Sequence, residues 1–164
     1  MAGTPMDRDI HIRWAEAGDV DAIARVVNAA FRRAESFFVE RDRIDVAALR
    51  RMMEKGRFLL AEAGGDLLGC VFLELRGERA YFGLLAVDPG RQRKGLGRRL
   101  IREVEDAARE AKCRFMDIQI VNLRAELPPF YRRLEYVETG TGPFPAEVVT
   151  KEKCHFIVMS KPLV

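Results

Sequence analysis

Residues 81–102 run Tyr-Phe-Gly-Leu-Leu-Ala-Val-Asp-Pro-Gly-Arg-Gln-Arg-Lys-Gly-Leu-Gly-Arg-Arg-Leu-Ile-Arg, and no other stretch limits the fold so tightly. Apolar, β-prone residues from Tyr81 to Val87 predict a strand, which the turn chemistry of Asp88-Pro89-Gly90 stops. Leu96, Leu100, Ile101, Val104, Ala107, Ala108 and Ala111 then repeat at helical spacing. Gly95 and Gly97 stand where that helix begins. A helix start leaves backbone N–H groups unpaired and carries the positive end of the helix dipole. Glycines there clear the side chains that would hold a ligand off those groups. With Arg91, Arg93, Lys94, Arg98 and Arg99 around the turn, the stretch suits a di- or triphosphate-like anion.

Three phosphate motifs compete for it. A P-loop needs Ser or Thr after its Gly-Lys, and Arg98 follows Gly97. A dinucleotide fingerprint needs a third glycine where Leu100 stands, although Asp117 lies near the distance of a ribose-binding acid. The third pattern, Gln92-Arg93-Lys94-Gly95-Leu96-Gly97 after a strand ending in Ala-Val-Asp-Pro, resembles the Gln/Arg-x-x-Gly-x-Gly/Ala loop of the GNAT superfamily of N-acetyltransferases. The resemblance implies that the backbone of this loop holds the pyrophosphate of acetyl-CoA, the acyl donor. The expected contacts are Leu85, Ala86 and Val87 at the strand end, then Gln92, Arg93, Lys94, Gly95, Leu96, Gly97 and Arg98.

At 164 residues the chain is long enough for one sizeable core. The expectation is a flexible leader over 1–9 and a single domain over 10–164. No apolar run is long enough to cross a bilayer and the N-terminus has no signal-peptide core, so the expected location is cytoplasmic, without a membrane partner. Cys70, Cys113 and Cys154 have no paired spacing and His11 and His155 add no ligand cluster, so no metal site or disulfide framework is expected. Of 28 Lys and Arg residues, six fall within residues 91–102, where there is no acid. The basicity is local to the loop, unlike the spread stripe of a nucleic-acid binder. Oligomeric state is left open, a homodimer included.

Along the chain, Ile10 to Trp14 reads as a first strand. Asp19 can cap a helix with Val20, Ile23, Ala24, Val27, Ala30 and Phe31 inward, and Asp45 a second with Val46, Leu49, Met52 and Met53 inward. Between them, Arg32 to Ile44 is either a connector burying Phe37 and Phe38 or a wall of the substrate pocket. Phe58–Ala63 and Leu67–Leu75 form a hairpin at Gly64-Gly65, and a type II′ turn at Gly77-Glu78 would set Glu74 opposite Tyr81. Phe115 to Val121 is a further strand, parallel to the one before the helix. Asn122 to Leu134 is a short helical segment, and Tyr136–Thr139 and Cys154–Ser160 a last strand pair. The order β-α-α-β-β-β-α-β-α-β-β gives an α/β fold with a mixed sheet, and it matches the GNAT fold with its central splayed parallel pair.

Asn122, Ala125, Phe130-Tyr131, Leu134 and Tyr136 resemble the same family's Asn-x-x-Ala…Phe-Tyr-x-x-Leu-Gly-Phe signature. The match implies that Asn122 contacts the pantetheine arm and that Tyr131 protonates the departing thiolate. A phenol of ordinary pKa about 10 is protonated at neutral pH and can do so. Glu135 replaces the family's glycine, which points to a different local turn. Pro128-Pro129-Phe130-Tyr131 also fits a peptide ligand for WW domains, though prolines there better start a helix. The family's glutamate base falls at Tyr81, so the base is expected to be Glu74 acting through water, with Glu126 or solvent as alternatives. The reading is an N-acetyltransferase moving an acetyl group from acetyl-CoA to a small or peptide primary amine by direct attack. The alternative is a non-catalytic acyl-CoA-binding module on the same fold.

Overall fold

The computed structural model describes residues 10–91 and 95–164. The expected leader and Gln92, Arg93 and Lys94 therefore lie outside the described residues. The elements run β1 (His11–Trp14), α1 (Val20–Glu35), α2 (Val46–Lys55), β2 (Arg57–Ala63), β3 (Asp66–Arg76), β4 (Arg79–Val87), α3 (Leu96–Glu110), β5 (Phe115–Val121), α4 (Leu127–Arg133), β6 (Val137–Pro143) and β7 (His155–Pro162). They form one sheet in the order β1-β2-β3-β4-β5-β7-β6. Every neighbouring pair is antiparallel except β4 and β5, which the crossover helix α3 joins and so makes parallel.

Both faces of the sheet are covered, which is why β3 buries an unbroken run from Leu68 to Leu73. Leu68, Val71 and Leu73 pack with Leu100, Ile101 and Val104 of α3. Cys70 and Phe72 point the other way, to Ile23 and Val27 of α1 and Leu49 of α2. The turns follow the glycines. Gly64 and Gly65 both have positive φ (58° and 82°), as a type I′ turn requires. At the next turn Gly77 has φ 70° and Glu78 does not share the sign, giving the type II′ geometry. The register is the expected one, Arg76 facing Arg79 and Glu74 facing Tyr81.

Local chemistry departs from the sequence reading in three places. Asp45 caps α2 through Ala48 N–H (2.7 Å), but Asp19 gives no cap to α1. Its carboxylate is gripped by both Nη atoms of Arg13 (2.8 Å each) and accepts Glu16 N–H, closing a short 3-10 turn instead. Of the two phenylalanines between α1 and α2, Phe38 is fully buried while Phe37 is exposed. The last strand pair also runs further than expected, with β6 reaching Pro143 and β7 reaching Pro162.

Candidate active site

The site begins where β4 leaves β5. The two strands pair only at Arg79/Phe115, Ala80/Met116 and Tyr81/Asp117, and then part. On its other side β4 carries a bulge: Gly83 faces Phe72 and Ala86 faces Cys70, so Leu84 and Leu85 together oppose Val71. Leu84 has φ 47°, a left-handed angle that a leucine holds only where the surrounding structure imposes it. A bulge bends and twists its strand and leaves one residue out of the ladder. Between this bend and Gln119–Val121 of β5 lies a cavity of about 200 Å³, with Tyr131 in its wall. A wider cleft of about 1020 Å³ opens between the Arg41–Val46 segment and the loop at Pro145–Val149. Tyr81, Leu84, Gln119, Phe156 and Arg43 belong to the walls of both. The bend in β4 is thus reached from two sides.

Tyr131 comes from α4, whose first turn holds Pro128 and Pro129. It is 6% exposed, packed at ring-centroid distances of 5.0 Å from Phe130, 5.7 Å from Tyr136 and 6.3 Å from Phe82. Such burial in a helix leaves no extended Pro-Pro-x-Tyr ligand for a WW domain. Burial pushes the phenol up to about 12, against the opposing charge of Arg124. Its hydroxyl has no hydrogen-bond partner among the described residues. The helix ends in a Schellman motif, Tyr136 N–H to Tyr131 C=O and Glu135 N–H to Arg132 C=O (3.0 Å each). Glu135 sits at the position this motif usually fills with glycine, at φ 77°. The turn that Glu135 was expected to alter is kept, with a strained residue in it.

The expected bases are occupied. Glu74 bonds Arg76 Nε, and that guanidinium lies 4.7 Å from the centre of the Tyr81 ring. Glu126 accepts from Arg124 Nε at 2.9 Å. Tyr81 is itself held high by burial, opposed by Arg76 and Arg43. Its ring folds back over its own strand. A Cβ on Gly83 would stand 2.4 Å from Tyr81 Oη, so only glycine fits beneath it.

At the start of α3, Gly95 is the N-cap residue at φ 89°, and Arg99 N–H reaches back to its carbonyl (2.9 Å). A Cβ on Gly97 would meet nothing within 4 Å. Among the described residues, packing therefore does not demand a glycine there. Leu96 is buried beneath it. The Arg98 guanidinium lies 5.7 Å from the Phe130 ring, linking the helix start to the helix that carries Tyr131. Leu85 and Val87 are half-buried and Ala86 is buried. Asn122 uses its Oδ1 on His155 N–H (2.9 Å), which leaves its amide N–H groups to face outward.

Two residues of the site escaped the sequence reading. Glu35, the last residue of α1, is 3% exposed and lines the cavity beside Tyr131. Arg43 Nε stands 3.5 Å from its Oε1 and Arg124 Nη1 3.6 Å from its Oε2. Neither is a hydrogen bond, and Glu35 Oε1 and Arg43 Nε are buried without any partner. Desolvation raises the Glu35 carboxyl, with Arg43 and Arg124 opposing. The signal was in the helix pattern: Ile23, Val27, Phe31 and Glu35 follow one another at four-residue steps, so a carboxylate takes the next inward position.

Comparison with known proteins decides the family. The model of the acetyltransferase (GNAT) family matches residues 22–136. The chain belongs to this family. A curated relative, streptothricin acetyltransferase of Streptomyces lavendulae, is 30% identical over 107 residues, which cover 64% of this chain and 57% of that protein. The chain thus spans a little over half the length of that relative. Solved structures extend the likeness to the whole GNAT fold. The ribosomal-protein-S18-alanine N-acetyltransferase of Escherichia coli superposes with a TM-score of 0.75 at 18% identity, over 94% of each chain. A Salmonella typhimurium protein solved with its cofactor acetyl-CoA gives 0.69 at 22% identity, over 95% of each.

Proposed function

We propose that this chain transfers an acetyl group from acetyl-CoA to a primary amine by direct attack. The observation that carries the reading is the bulge at Leu84–Leu85, set across a cavity from a buried Tyr131 whose hydroxyl has no hydrogen-bond partner among the described residues. Family membership and the open glycine start of α3 support it.

The start of α3, Gly95 to Arg98, would hold the pyrophosphate together with Gln92, Arg93 and Lys94. The parted edges of β4 and β5 would take the pantetheine arm, as an added strand takes main-chain hydrogen bonds. Leu85, Ala86 and Val87 would line it from β4, and the Asn122 amide would donate from β5. The bulge turns backbone out of the β3–β4 ladder, and an N–H of Leu84–Leu85 would stabilise charge growing on the thioester carbonyl oxygen. Tyr131 would give its proton to the leaving sulfur. The acceptor amine would enter from the wide cleft on the other side of the bend. For its proton the geometry favours solvent, because the carboxylates of Glu74 and Glu126 are turned onto Arg76 and Arg124.

A CoA-release assay over a panel of primary amines tests the activity. Initial-velocity patterns that intersect support direct attack, whereas parallel lines would replace it with an acetylated enzyme. The pH profile of kcat/KM for Glu74→Gln tests the proton route. An unchanged profile is expected, and loss of its acidic limb would restore Glu74 as the base.

A further inference from the structure

We propose that Arg43 receives a carboxylate of the acceptor, so that the acceptor is an amino acid or a compound carrying an amino acid's carboxylate. This rests on the acetyl-transfer reading for the word acceptor, but not for the anion site itself.

Arg43 lies in the segment between α1 and α2 with its side chain only 12% exposed. It lines both the cavity that holds Tyr131 in its wall and the wide cleft. Its guanidinium is 4.9 Å from the centre of the Phe144 ring and 5.6 Å from that of Phe31. The two rings flank the guanidinium. A guanidinium carries five N–H donors, and those of Arg43 make no hydrogen bond with the described residues. Leaving buried charged donors unmade is costly, so the arrangement fits a site completed by its ligand.

The sign of the missing charge follows from the neighbours. Glu35 has two guanidiniums beside it, Arg43 and Arg124, so a cationic ligand finds no uncompensated carboxylate there. Arg124 has a hydrogen-bonded partner of its own in Glu126. Arg43 has only its share of Glu35, at a distance too long for a hydrogen bond. Glu147, exposed on the far loop, adds a more distant negative charge. The group still lacking is thus an anion with acceptors matched to a planar fork. A carboxylate meets that geometry with two parallel bonds. Phe31 and Phe144 would add apolar walls for the carbon skeleton that joins this carboxylate to the amine.

The test uses matched pairs. Amino acids and their carboxamides are assayed for CoA release with the wild-type protein and Arg43→Gln, the folding of the variant being checked by circular dichroism. The wild type should prefer at least one acid over its amide by roughly ten- to a hundred-fold in kcat/KM, the range expected for hydrogen bonds between charged groups. Arg43→Gln should abolish that preference, mainly by raising KM. Equal use of acid and amide by the wild type, or an unchanged preference in the variant, overturns the proposal. A second readout needs no turnover. The Arg43 Nε–H resonance, assigned by its loss in the variant, should shift on addition of N-acetylated amino acids but not of their amides. A shift without CoA release from any amine would keep the anion site and remove the acetyl-transfer reading. Release of CoA with no carboxylate moving the resonance would do the reverse.

Discussion

Two tyrosines five residues apart, with ring centres 5.7 Å from each other, live by different rules. Tyr136 is fully buried and donates to Glu105 Oε2 at 2.7 Å. Glu105 in turn takes Lys161 Nζ at 3.1 and 3.2 Å. Hydroxyl, carboxylate and ammonium are all engaged, which is how a buried polar network must look if it is to hold a fold together. Tyr131 is nearly as buried and has no such partner, and beside its cavity Glu35 and Arg43 stand close without bonding. In one molecule, the completed network marks structure, and the incomplete one is what the acetyl-transfer proposal expects of a place where a ligand binds.

The comparison can be broken most sharply at Glu105. Glu105→Ala strands Lys161 and Tyr136 in the interior and should cost about 3–5 kcal/mol in denaturant unfolding, as loss of one partner from a buried pair does. A loss below about 1 kcal/mol, the usual worth of a surface pair, would mean the network is not structural. Next in size is Tyr131→Phe. Turnover should fall roughly ten- to a thousand-fold while the denaturation midpoint stays put, because no hydrogen bond is removed. A stability loss with normal turnover would move Tyr131 into the structural class.

Alkaline titration sharpens the same contrast. The Tyr131 phenol, ordinarily near 10, is pushed up to about 12. Below the ordinary value both folded and unfolded chains hold the proton and stability is unaffected. Between the two values only the unfolded chain releases it, so stability falls as pH rises through that window. In Tyr131→Phe this part of the alkaline loss should shrink. The smallest effect concerns the turn between the two tyrosines. Glu135 holds a left-handed angle of 77° that costs a side-chain-bearing residue about 1–2 kcal/mol. Glu135→Gly should therefore raise stability by about 0.5–1 kcal/mol, less than the full strain because glycine also loosens the unfolded chain. A drop in stability would show that Glu135 is held there by its side chain.

The order of elements was legible because each carried its own short-range signal. Apolar residues spaced for α3, the glycine pairs at both hairpins and the helix needed to join parallel strands dictated the sheet. The glycine start of α3 and the placing of Tyr131 in a short helix were legible because each sits in a contiguous motif. Glu35 and Arg43 were not, since neither belongs to a motif and they meet only when α1 ends against the connecting segment. Glu74 shows another limit, a side-chain contact that the register does not reveal. Its register was read correctly, but Arg76 is its neighbour two residues on along β3, and that pairing takes up its carboxylate. Asp19 repeats the lesson: the capping residue type was right, and Arg13 from β1 claimed it.

The brief meeting of β4 and β5 also has a meaning for how the chain assembles. β2, β3 and β4 pair as successive hairpins, while β5, β7 and β6 pair among residues 115–162. The seam between these halves is three residue pairs long and forms only after the whole α3 crossover has been looped closed. Loop closure is unfavourable until later contacts offset it, and three ladder pairs offset only part of it, the rest coming from packing of Ala80 and Phe82 against the second half. We therefore expect docking of the two halves late in folding, after each has zipped up. Ala80→Gly, in the seam, should speed unfolding and leave the folding rate nearly unchanged; a slowed folding arm would instead place the seam in the nucleus.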